Sequence, residues 1–254
     1  MQKKQIYFTL LLTLLFACNR EPIIAPPTDL KLEYFPLDIG KYWVYAVDSI
    51  VYDPIVGGIE QDSVRLYVKE EVVDTFRDAT GMLMYRIDRY ERYADTMPWQ
   101  IALVVAEGIE DDKSAIRIEH NLRFSKLVFP PFTGKQWEAN SAFDTEMSFP
   151  VAGEGVRIFR QMLFYIKGVD EPYELPNLAF DSVTTVMGTN FPETCSLEYR
   201  TIEEKYAKNV GLIFREWIIL DEVVSAPPDT CVDAPWRDKA EAGFVIRQTL
   251  IDYK

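Results

Sequence analysis

A chain of 254 residues in which 40 acids stand against 27 bases, for a net charge of −13, repels phosphate backbones and carries no basic stripe with interleaved aromatics, which excludes nucleic acid as a partner. Hydrophobic residues make up 48%, enough to fill one large core or two smaller units sharing one. A single histidine, three cysteines and 12 glycines leave little from which to build a nucleophilic triad, a zinc site or a phosphate-cradling loop.

Residues 1–17 place Lys3 and Lys4 ahead of the apolar run Ile6–Ala17, which is too short to span a bilayer and reads as a secretory signal. The run ends in Leu15-Phe16-Ala17-Cys18, which resembles the lipobox of bacterial lipoproteins. That resemblance implies a mature chain beginning at a lipidated Cys18 and held at a membrane by its acyl chains. Asn19 in place of an aspartate implies an outer-membrane destination, periplasmic or surface-facing. Residues 18–29 then form the lipidated cysteine and a proline-rich tether, which at about 3.1 Å per residue reaches on the order of 30 Å. The domain proper is expected over residues 30–254.

Phe35–Tyr45 reads FPLDIGKYWVY, and Phe129–Trp137 reads FPPFTGKQW. Both fit F-P-x-x-x-G-K-x-W at an offset of 94 (Phe129 against Phe35, Gly134 against Gly40, Trp137 against Trp43). Proline fixes one backbone angle, glycine opens a turn closed to other residues, and tryptophan starts an apolar strand. The chain is therefore expected to hold two similar units, 30–128 and 129–254. Trp43, Tyr45 and Trp137 are candidate aromatics for an apolar site, with core packing as the plainer role.

Further strands follow from alternation: Val64 to Val68, and Leu83 to Ile87 after the turn Asp78–Gly81, the two forming a hairpin. Ile101–Ala106 is a continuous apolar strand closed by turn residues Glu107–Lys113. Val156, Ile158, Met162, Phe164 and Ile166 mark a single long strand. Phe180–Met187, Leu197–Tyr206, Gly211–Leu220 and Phe244–Ile251 complete the set, and the proline- and charge-rich segment 221–243 is a long loop. The expected fold class is all-β, with antiparallel sheets in a half-barrel or sandwich-like arrangement. In an exported protein, Cys195 and Cys231 are expected to form a disulfide.

The phrases Phe35–Tyr45, Phe129–Trp137 with Asn140, and Tyr206–Ile213 (YAKNVGLI) together resemble a family of uncharacterised exported lipoproteins of Gram-negative bacteria. The resemblance implies antiparallel β structure and no established activity. Asn209 stands where that family commonly has glycine, and asparagine tolerates the left-handed conformation such a position needs. His120 sits in the polar stretch IEHNLRF and is read as non-catalytic. The acid pairs Glu70-Glu71, Asp111-Asp112 and Glu203-Glu204 are read as solvated turns or edges. No catalytic residue, metal or cofactor is expected. The favoured reading is a lipid-anchored, non-catalytic binding or assembly module for an envelope partner. A carrier of a lipid or other apolar ligand is the alternative, and a carbohydrate-active enzyme with two carboxylates is a third.

Overall fold

The computed structural model describes residues 29–55, 58–191, 196–222 and 235–254. A 3-10 turn, Leu32–Tyr34, precedes β1 (Tyr42–Ile55), β2 (Gly58–Arg77), β3 (Leu83–Arg92), β4 (Gln100–Glu110), β5 (Ser114–Glu119) and β6 (Leu122–Val128). There follow β7 (Gln136–Trp137), β8 (Phe149–Val151), β9 (Glu154–Val156), β10 (Leu163–Leu175), β11 (Leu178–Thr189), β12 (Glu198–Ala207), β13 (Gly211–Asp221), a short helix α1 (Trp236–Lys239) and β14 (Ala242–Tyr253).

The two F-P-x-x-x-G-K-x-W frames fold alike. Gly40 and Gly134 sit at φ 85° and 86°, a left-handed conformation that costs glycine little and a β-branched residue much. Gly40 N donates to Val72 O (2.8 Å) and Val72 N to Lys41 O (2.9 Å), while Gly134 N donates to Ile166 O (2.8 Å) and Ile166 N to Lys135 O (2.9 Å). Val72 and Ile166 are again 94 apart, so the repeat runs well past the motif. The strand registers agree too, with Trp43 opposite Glu70 and Trp137 opposite Phe164.

Twelve strands form one antiparallel sheet in the order β6-β5-β4-β3-β2-β1-β14-β13-β12-β11-β10-β7. Each half is a six-stranded meander, and the first strand of one half pairs with the last strand of the other: β1 runs along β14 through a full ladder. At the far edges Ser125 N on β6 donates to Ala139 O (2.9 Å) just beyond β7, and Trp137 Nε1 donates to Ser125 O (2.8 Å). These contacts nearly close the sheet into a barrel and cover part of the two edges that an open sheet would offer to other chains.

Alternation decides what faces inward. Trp43, Tyr45 and Val47 are buried on one face of β1, whereas Asp48 on the other face stands opposite Arg65 and Arg247. Arg65 pairs with Asp48 at 2.5 Å and Arg247 with Glu216 at 2.7 Å, all on the outer wall. Such charges favour water over lipid at the outer wall, since an arginine there would cost about 2–4 kcal/mol at a bilayer midplane. No helix among the described residues is long and apolar enough to cross a membrane.

Two expectations about the strands are corrected, and one hairpin is new. Residues 156–166 do not form one strand: β9 ends at Val156 and β10 begins at Leu163, because in the second half the chain leaves the sheet after Trp137 and turns Ile158 and Phe159 inward. Glu107 is no turn residue; β4 continues to Glu110, and the inward Glu107 is held by Arg117. The stretch around His120 is a hairpin, β5–β6, with His120 and Asn121 at φ 51° and 63° forming its tight turn.

Candidate functional site

At mid-barrel the inward positions of several strands carry charge instead of apolar side chains. Antiparallel register sets Glu70 opposite Arg89, Glu107 opposite Arg117 and Glu204 opposite Arg215, and opposite charges on facing positions of one sheet face attract. Arg117 is the centre: Nη2 donates to Glu70 (2.6 Å), Nη1 to Glu107 (2.6 Å) and Nε to Glu119 (2.7 Å). Glu204 accepts from Lys126 Nζ (2.6 Å) and Arg215 Nε (2.8 Å) at one oxygen and from the Tyr206 hydroxyl (2.7 Å) at the other. Arg89 lies 3.5 Å from Glu119 and 3.2 Å from Glu91.

Burial alone would raise the Glu204 carboxyl, but Lys126 and then Arg215 outweigh it and hold the group at about 2. Glu70 is likewise brought below its ordinary range by Arg117 against the opposing effect of burial. Glu107 goes the other way: burial, with Glu70 close by, pushes it up despite Arg117. Burial also lowers the Lys126 ammonium, partly offset by Glu204. Such a network is stable only while every member is partnered.

The layer has two unlike sides. On one lies a space of about 30 Å³ between Trp43, Tyr45, Tyr206, Glu70 and Glu107, with Arg117, Lys126 and Arg215 also in its lining, room for little more than a water molecule. On the other lies a cavity of about 610 Å³, within the range of about 300–1,000 Å³ typical of small-molecule sites. Its wall includes Leu66, Leu122, Phe124, Phe159, Trp217 and Ile246, and its floor is Arg89, Arg117, Lys126 and Arg215 with Glu119. The exposed Pro150 stands at its rim.

One end of this cavity is covered by the hairpin β8–β9 and the segment leading into β10. Phe149 meets Phe159 at 5.7 Å between ring centroids, Phe124 meets Phe143 at 5.2 Å, and Phe159 meets Trp217 edge-on at 6.0 Å. The cover is thus built from aromatic contacts.

The aromatics singled out in the sequence lie elsewhere. Trp43 and Tyr45 are buried on the opposite side of the charged layer, and Trp137, half-buried, helps close the barrel seam. None of the three lines the large cavity. Cys18, Cys195 and Cys231 lie outside the described residues. The acid pairs are split: Glu70 and Glu204 are buried while their neighbours face outward, and Asp111-Asp112 alone is the exposed turn expected. Single-residue alternation carries the signal for this, since an acid flanked by outward residues on a half-buried strand must point inward.

No family model and no curated protein sequence matches the chain. Among solved structures, one described as a lipoprotein of Parabacteroides distasonis is similar over 87% of this chain and 98% of that chain, at 11% identity and a TM-score of 0.34.

Proposed function

We propose that this protein is a lipid-anchored, non-catalytic envelope protein whose barrel holds an apolar small molecule. The observation that carries the reading is the cavity of about 610 Å³ with its aliphatic and aromatic wall. A protein serving only as an assembly surface gains nothing from an unfilled interior, which forfeits packing contacts. A sugar-cleaving role is disfavoured because Glu70 and Glu107 line the small space on the other side of the layer, where no sugar ring fits between them, and Glu119 is the one carboxylate among the described residues lining the large cavity. The anchor is Cys18 at the end of a short apolar run, with the outer membrane as destination. Mass spectrometry of the mature N-terminus tests it: an acylated Cys18 is expected, and an unmodified N-terminus elsewhere overturns the anchor.

Titration with the uncharged fluorophore N-phenyl-1-naphthylamine tests the carrier reading. Saturable binding by the parent chain is expected, abolished in Ser49→Trp, whose indole would fill the cavity from the inner face of β1. Equal uptake by both chains, or none by either, contradicts it.

A further inference from the structure

The reading of the barrel as a carrier leaves open which kind of apolar molecule it takes, and the floor of the cavity bears on that. The charged layer contains as many carboxylates as cations: Glu70, Glu107, Glu119 and Glu204 against Arg89, Arg117, Lys126 and Arg215. The two sets are not mixed evenly through its thickness. All four cations border the large cavity with Glu119 as its one carboxylate, whereas the small space on the far side is lined by Glu70 and Glu107 together with Arg117, Lys126 and Arg215. The lining of the large cavity thus carries four cations to one carboxylate, and that of the small space three to two, so the cation excess is greater on the side of the large cavity. In a chain of net charge −13, such a concentration runs against the composition.

Hydrogen-bonding capacity is unbalanced in the same direction. A guanidinium carries five N–H groups and an ammonium three, and neither can accept. Among the described residues Arg215 engages only Nε, with Glu204, and Lys126 makes a single bond, to the same oxygen. Arg89 Nε and Trp217 Nε1, both on residues lining this cavity, are buried donors with no acceptor among the described residues. Donors are in surplus at the floor, and a surplus of buried donors calls for an acceptor.

Resting on the carrier reading above, we propose that the ligand is an amphipathic anion: an acyl chain lying against Phe159, Trp217 and Ile246, with an oxyanion head group held by Arg215 and Lys126. The planar fork of a guanidinium suits a carboxylate or a phosphate, and a head group seated there adds charge-assisted hydrogen bonds without displacing Glu204 from Tyr206. An acyl chain ending in a cation would meet like charge, and one ending in a hydroxyl would forgo the ionic attraction.

Competition binding separates this proposal from the reading beneath it. Palmitate, hexadecyl phosphate, hexadecanol and hexadecylamine, which share one chain length and differ at the head, are each used to displace a bound uncharged fluorophore. Both anions are expected to bind at least about tenfold more tightly than the alcohol, with the amine weakest, and Arg215→Gln is expected to remove most of that preference while retaining the alcohol. Equal binding of all four, or preference for the amine, overturns the anionic head group and leaves the carrier intact. Binding of none overturns the carrier and the proposal with it. The comparison among ligands on the parent chain stands whether or not the variant folds.

Discussion

Trp43 donates its indole N–H to Val210 O at 2.5 Å and Tyr45 its hydroxyl to Leu212 O at 2.9 Å. Lys41 Nζ reaches Asn209 O at 3.1 Å, and the Phe35 ring lies 6.1 Å from that of Tyr206. The opening phrase FPLDIGKYWVY thus docks against the late phrase YAKNVGLI of the other half, and Asn209 takes the left-handed φ of 63° that its place in the turn requires. Trp43→Ala removes a buried indole and leaves the Val210 carbonyl without its donor, so a loss of roughly 3–5 kcal/mol is expected by urea unfolding. Trp137→Ala, half-buried, is expected to lose clearly less.

The charged interior makes a second residue-scale prediction. The Glu204 carboxyl is held at about 2 against an ordinary value of 4.5, so its folded value lies below its unfolded one. Its contribution is complete above about pH 4.5 and is lost as pH falls toward 2, an effect of roughly 3 kcal/mol. Glu204→Gln is accordingly expected to be less stable than the parent at pH 7, with the gap narrowing below pH 4.5. A gap unchanged by pH contradicts the assignment. Arg117→Met, which leaves Glu70 and Glu107 buried without their cation, is expected to lose about 3–5 kcal/mol. None of these roles was legible from residue pairs read as surface acids, because adjacency in a strand says nothing about which member points in until the strand's inner face is known.

At the scale of elements, the repeat was legible and its asymmetry was not. A shared F-P-x-x-x-G-K-x-W frame predicts equal turns, and Gly40 and Gly134 supply them. In both copies the lysine also serves backbone carbonyls, Lys41 at Asn209 and Lys135 at Phe129 and Pro130. What differs is the sequel: the first half continues directly as the long hairpin β1–β2, whereas the second keeps only Gln136–Trp137 in the sheet and uses the next stretch as the cover β8–β9. Alternating apolar residues such as Val156 and Ile158 read the same in a strand and in an inward-turned cover, so periodicity could not separate them. The β5–β6 hairpin was missed for a related reason, since its inward positions include Arg117, Glu119 and Lys126 beside Leu122 and Phe124, and the charges imitate a polar surface. Cys195 and Cys231 lie outside the described residues, and their expected pairing rests on the chain: they are the two cysteines left once Cys18 is lipidated in an exported protein. Non-reducing peptide mapping is expected to find them bonded, and two free thiols in protein from the envelope would contradict it.

For the whole molecule, two meanders joined first strand to last give a nearly closed barrel, charged outside and divided inside by a layer of ion pairs. The layer fixes register, since a one-residue slip of β12 against β13 would separate Glu204 from Arg215. It also partitions the interior, leaving the side by Trp43 nearly filled and the side by Trp217 hollow. Composition and alternation were sufficient for the all-β class, but a hollow interior depends on how far Phe149 and Phe159 reach from the covering segment, which no pattern in the sequence encodes. Native mass spectrometry of the protein released from the envelope, beside Ser49→Trp prepared in the same way, tests the carrier most directly. The account predicts one copy of a small amphipathic molecule bound to the parent chain and none to the variant, at equal thermal stability. A parent chain that carries no ligand, and that takes up neither palmitate nor hexadecanol when these are supplied, would contradict it.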